Sequence, residues 1–171
     1  INTRSYGEKP EDVAEHVKAF IAGAHAADVK NRVLVTAKHF PGHGDTAVDS
    51  HMGLAKVTAD RQRLEAVEFV PFKAAIEAGV DAVMSAHLAV NALEPEEIPS
   101  TVSKNVLTVV LRQELGFKGL VVTDAMDMAG LSSRFSPGEA AVRALAAGVD
   151  VLLIPPRPDQ AVQGVVAALA A

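Results

Sequence analysis

The sequence predicts an α/β fold in which helices cover a parallel sheet. Three observations predict it. Amphipathic helical segments alternate with short β-branched runs along the whole chain. The phrase Ala78-Gly79-Val80-Asp81-Ala82-Val83 returns as Ala147-Gly148-Val149-Asp150-Val151-Leu152, each time a helix-ending Gly followed at once by an apolar strand. The reactive polar residues fall at the carboxyl ends of the strands: Lys38 and His39 after the first, His87 after the second, Asp124 after the third.

Each element follows from local pattern. Residues 10–27 read as a helix, with Pro10 at the first turn and Val13, Val17, Phe20, Ile21 and Ala24 at helical spacing. Residues 32–37 read as a buried strand, followed by a polar loop over 38–58. Asp60 caps a second helix that runs to Ala78 and stops at Gly79. Strand 80–85, a loop over 91–100, helix 103–115 with Gly116 at its end, and strand 119–123 come next. Helix 137–147 closes at Gly148, strand 149–154 ends at Pro155-Pro156, and 158–170 reads as a last helix. His16 and His25 fall on the first helix and read as surface residues.

About four parallel strands do not close a barrel of eight. They fit a small doubly wound sheet or half of a (β/α)8 TIM barrel. Chemistry spread over several strand ends favours the half-barrel, although doubly wound sheets use the same end. The expectation is one domain over 1–171, the C-terminal part of a truncated barrel. Half a barrel leaves two raw sheet edges, so the piece alone is expected to be inactive or poorly folded.

Composition narrows the function. The 171 residues are 49% hydrophobic and 22% charged, which suits a globular domain with a real core. A net charge of -5 without a basic block argues against nucleic acid as a partner. The absence of Cys excludes a disulfide scaffold and thiolate metal sites. No apolar run approaches the roughly 20 residues of a membrane span. The chain opens Ile1-Asn2-Thr3-Arg4 without Met, which reads as a fragment or a processed end. Cytoplasmic and exported locations both stay open.

The chemistry concentrates in Lys38-His39-Phe40-Pro41-Gly42-His43-Gly44-Asp45-Thr46-Ala47-Val48-Asp49-Ser50-His51. Three readings compete for it: a solvated surface loop, a metal site using His39, His43 and Asp45, and acid/base chemistry by Asp49 and His51. Pro41 and Gly42 lie within the His39–His43 interval and Gly44 beside it, and a nearby Lys disfavours a cation. In an extended loop, residues two apart project to one side. Asp49 can then accept the His51 N–H and stabilise its imidazolium, which suits proton transfer to and from oxygen near neutral pH.

The string KHFPGHGDT-x3-DSH closely resembles the signature of glycoside hydrolase family 3, in its β-N-acetylhexosaminidase branch. The resemblance covers nearly the whole chain. It implies that the Asp49–His51 pair is the acid/base, since other branches share Lys-His but usually take a Glu from another domain. Asn2-Thr3-Arg4-Ser5-Tyr6-Gly7 resembles the segment that carries a substrate-binding Arg, here Arg4. Lys38 and His39 match a pair that binds sugar hydroxyls. Val121-Val122-Thr123-Asp124-Ala125-Met126-Asp127-Met128 is similar to the nucleophile segment, whose first Asp attacks; this points to Asp124. Leu54-Ala55 departs from the pattern, which usually has Pro at the second position. The family's strands that precede Arg4, one with a further sugar-binding Asp, have no counterpart in the chain.

The expected activity is therefore retaining hydrolysis of terminal β-linked N-acetylhexosamine through a covalent glycosyl-enzyme. The implied partner is a small carbohydrate: N-acetylglucosaminyl glycosides, including peptidoglycan-derived muropeptides or chitin-type oligosaccharides. No metal and no organic cofactor is expected. The alternatives are a β-glucosidase-type or phosphorolytic member of the family, a metal-dependent barrel hydrolase, and an inactive fragment. Asp127 reads as a cap or loop carboxylate. His87 reads as a weaker candidate for lining the pocket, and Pro41 to Asp45 as shaping the loop.

Overall fold

The structure is a computed structural model and describes residues 5–26, 30–46 and 53–171. Helix α1, Pro10–His25, starts on its Pro and buries Ala14 and Ile21 on its inner face. Strand β1, Thr36–Phe40, pairs in parallel with β3, Ala82–Ser85, which pairs in parallel with β5, Leu120–Val122. The sheet order is β1-β3-β5. Within this sheet each connection passes through helical segments, as parallel pairing requires. Between β1 and β3 these are α2 (Arg61–Arg63), a wide turn of helix over Leu64–Glu68 and α3 (Phe69–Glu77). A further wide helix, Asn105–Glu114, leads into β5. Its Val106, Leu107, Val110 and Leu111 form one buried stripe. Short α4 (Ala129–Ser132) precedes α5 (Pro137–Ala147) and α6 (Pro158–Leu169).

The caps behave as their chemistry demands. Asp60 accepts a hydrogen bond from Arg63 N, and Ser136 from Glu139 N. Gly148 ends α5 with φ 111°, a conformation that suits only a residue without Cβ. Gly138 and Gly164 let α5 and α6 approach closely: a Cβ on Gly164 would lie 2.7 Å from Gly138 Cα.

Several expectations need correction. The first strand covers 36–40 rather than 32–37, and Val33 and Leu34 are exposed rather than buried. The pairing partner decides: β3 offers Ala82 to Ser85, and these match Thr36 to Phe40. The fourth strand, expected over 149–154, is reduced to a single bridge between Val122 and Val151. A second parallel pair was not foreseen: β2 (Ala55–Val57) with β4 (Leu88–Val90). Three-residue strands leave too short a pattern to read. Among the described residues, no helix is long and apolar enough to cross a membrane.

The repeated Ala-Gly-Val-Asp phrase proves to be a structural device. Asp81 Oδ2 accepts from Val35 N at 2.9 Å, and Asp150 Oδ2 accepts from Val121 N at 2.8 Å. Each Asp also binds an Arg, Arg32 at 2.7 Å and Arg112 at 2.6 Å. Each carboxylate thus clips the start of a neighbouring strand. At the first clip His25 Nε2 lies 2.8 Å from Asp81 Oδ2, so His25 is a paired, mostly buried residue and not a surface one.

Burial pushes the Asp81 carboxyl up, but the Val35 N–H, His25 and Arg32 outweigh it and hold the group below its ordinary value. A depressed native value stabilises the fold above the unfolded pKa of about 4 and is lost as pH falls through the native one. Asp81→Asn is expected to cost about 1–3 kcal/mol at pH 7, the usual penalty for stranding buried donors. Urea unfolding should show that gap closing toward pH 3; a gap independent of pH would contradict the assignment.

Candidate active site

The site begins where β1 ends. Phe40 is fully buried and packs edge-on against Phe72 at 5.1 Å and stacked on Phe69 at 5.9 Å. Burying a ring of this size fixes the end of the strand. The register shifts between Lys38, opposite Met84, and Phe40, opposite Ser85. His39 sits at this irregularity, where a bulge re-aims the side chain. Lys38 and His39 therefore belong to β1 itself, and do not follow it as expected. The Lys38–His39 and Phe40–Pro41 peptides are cis.

Asp124 follows β5, two strands away. Its backbone N–H donates to Ser85 O of β3 at 3.1 Å. Its Oδ1 accepts from Ala125 N at 2.9 Å, which sets the carboxylate rotamer. Its Oδ2 lies 3.4 Å from His39 Nε2. Both side chains are mostly buried, 8% and 16% exposed, so this pair faces a restricted space and not bulk water. The fold thus brings together Asp124 and His39, which are 85 residues apart in sequence. Lys38 is exposed and, with His39, His43 and Glu68, lines the polar end of a cleft of about 360 Å³. The cleft continues between β1 and the apolar side of α1, along Val13, Val17 and Ile21. Arg4, Asp49 and His51 lie outside the described residues.

The loop after β1 is shaped by its own bonds. Gly42 N donates to His39 O at 2.9 Å. The Thr46 hydroxyl donates to His43 O at 3.1 Å, and His43 Nδ1 lies 2.9 Å from Thr46 Oγ1. The His43 ring meets that of His39 edge-on at 5.8 Å. Among the described residues no group of three His, Asp or Glu is arranged to hold a metal. Below the loop, the side chain of Glu68 is 7% exposed, with Oε2 lacking a hydrogen-bond partner among the described residues. Its Cβ and Cγ press against Gly42.

Two residues were underestimated from sequence. His87 does not line the pocket. It is fully buried, with Nδ1 2.8 Å from Thr101 Oγ1 and Nε2 2.9 Å from Ala125 O. Glu68 carried no sequence signal beyond an apparent helix position.

Fold and site together define an α/β domain that gathers its polar chemistry at the carboxyl ends of parallel strands, with a fixed carboxylate facing an imidazole. More narrowly, the chain belongs to glycosyl hydrolase family 3: the "Glycosyl hydrolase family 3 N terminal domain" matches residues 1–171. It is 41% identical over 170 residues to "Beta-hexosaminidase A" of Pseudoalteromonas piscicida, covering 91% of this chain and 27% of that protein. It is 38% identical over 154 residues to "Beta-hexosaminidase" of Xylella fastidiosa (strain 9a5c), covering 90% and 44%. The fold superposes with TM-score 0.91 and 45% identity on the glycoside hydrolase family 3 beta-N-acetylglucosaminidase from Paenibacillus sp. str. FPU-7, covering 96% of this chain and 31% of that one. The chain spans less than half the length of each of these relatives.

The loop geometry makes a contrast between two glycines. Gly42 has φ 135°, and a Cβ there would lie 2.6 Å from Glu68 Cγ and 2.8 Å from Glu68 Cβ; at Gly44 a Cβ would meet nothing within 4 Å. Gly42→Ala is expected to destabilise by about 1–3 kcal/mol, and Gly44→Ala by no more than about 0.5 kcal/mol. Equal unfolding midpoints for the two variants would contradict this account of the loop.

Proposed function

We propose that this chain is the C-terminal part of a (β/α)8 catalytic domain, and that the whole protein is a retaining exo-β-N-acetylglucosaminidase. The half-barrel reading is supported by the strand order and by apolar side chains exposed on the sheet or beside its strand ends, Val33, Leu34, Leu120, Val151 and Ile154. Such residues need a covering layer that the described residues do not supply. The hydrolytic reading is supported by relatives named beta-hexosaminidase and by the beta-N-acetylglucosaminidase structure.

The observation that carries the mechanism is the Asp124 carboxylate at the end of β5, one oxygen fixed by Ala125 N–H and the other turned to His39. A carboxylate held this way by stiff elements suits a nucleophile. In the proposed first step an Asp124 oxygen bonds to the anomeric carbon as the glycosidic C–O bond breaks. The His51 imidazolium, stabilised by Asp49, gives its proton to the leaving oxygen. In the second step a water oxygen bonds to the same carbon, the Asp124 ester bond breaks, and neutral His51 takes the water proton. Arg4, Lys38 and His39 bind the sugar's oxygens. The substrates are N-acetylglucosaminyl glycosides, with muropeptides as the natural class.

Asp124→Ala is expected to lower kcat by roughly a thousandfold or more. His51→Ala should slow unactivated alkyl glycosides by about 10²–10⁴-fold, while aryl glycosides with acidic leaving groups lose far less, because they need little protonation. Equal losses on both substrate types would remove His51 as the acid.

A further inference from the structure

His87 is a fully buried imidazole that the proposed mechanism does not use, and its bonds reach the candidate nucleophile's own backbone. Ala125 O is a carbonyl and can only accept, so His87 Nε2 carries the proton. Nδ1 then accepts from the Thr101 hydroxyl at 2.8 Å, a shorter path than that hydroxyl's 3.1 Å approach to Ala86 O. The Ser85 hydroxyl, 2.9 Å from Thr101 Oγ1, completes a donor chain from Ser85 through Thr101 to His87. Ser85, Thr101 and His87 are all inaccessible to solvent, so water cannot substitute for a lost member.

The far end of this chain is what gives it consequence. Ala125 O and Met126 N belong to the same peptide unit. The carbonyl accepts from His87, and the N–H donates to Leu153 O at 2.9 Å. The peptide is thereby held from both sides of β5. Asp124 N, on the preceding side, is held by Ser85 O. Between these fixed points lies the Ala125 N–H, which orients Asp124 Oδ1. Freeing the Ala125 carbonyl lets that N–H turn, and the carboxylate turns with it.

We propose that His87, tautomerically fixed by Thr101, is a positioning residue that aims the Asp124 carboxylate through the Ala125 carbonyl. This rests on the reading of Asp124 as nucleophile. The test uses the full-length protein and the pre-steady-state burst of an aryl β-N-acetylglucosaminide, which reports the attack step, with substrate KM measured alongside. His87→Phe is expected to slow the burst about tenfold to a hundredfold, the scale of a misplacement near 1 Å, with KM nearly unchanged. His87→Gln, which keeps a donor in reach of the Ala125 carbonyl, should recover most of the rate. Thr101→Val, which leaves the ring but releases its tautomer, should slow the burst in the same sense and carries the test if His87→Phe fails to fold. A wild-type burst in a folded His87→Phe or Thr101→Val protein overturns the proposal. So does a His87→Gln protein as slow as His87→Phe. Asp124→Ala is run beside them: a surviving burst in that variant removes the nucleophile reading itself, and the positioning role with it.

Discussion

Asp124 projects from a stretch of backbone bonded on both sides, to Ser85 O in β3 and, two peptides further, to Leu153 O beyond Val151. Those bonds exist because β3, β5 and Val151 run parallel and in register. A side chain on an unsupported loop samples many positions, and bringing it to a reacting atom costs conformational entropy at each turnover. Here that cost is met during folding. The same register brings His39 of β1 to 3.4 Å from the carboxylate. The candidate site is thus a consequence of strand alignment before it is a consequence of any particular loop.

The alignment is itself secured at the opposite end of the sheet. Asp81 and Asp150 each tie a strand's first residues to the next strand, with an Arg partner apiece. Two copies of one sequence phrase therefore do one job at one end, while the residues of the candidate site, which differ between the strands, lie at the other. This division, stability at the amino ends and reactivity at the carboxyl ends, is what parallel α/β architecture permits.

Much of this was legible in the sequence, and the failures have physical causes. Helix bounds came through well because 3.6-residue periodicity, Pro at the start and Gly at the end act together, as in α5. The first strand was placed too early because Val33 and Leu34 look like a strand while Lys38 and His39 look like a loop; pairing with β3 reversed that. The last strand was overestimated because apolar residues at 149–154 satisfy the pattern, while only Val151 forms a bridge, to Val122 of β5. Asp124 and His39 were found through motif resemblance, and the geometry then placed them together. His87 was seen only as a rim residue, since nothing in a linear sequence announces that Thr101 and Ala125 will bracket its ring. Glu68 beneath Gly42 was invisible for the same reason: it is a long-range contact between a helix and a loop.

Covalent trapping tests the central claim most directly. The intact protein, incubated with a slow fluorinated β-glycoside and digested, should carry the sugar's added mass on the peptide that holds Asp124, with fragmentation locating it at that carboxylate. An adduct on another carboxylate, Asp127 among them, or continued turnover with no adduct on any peptide, would contradict the account.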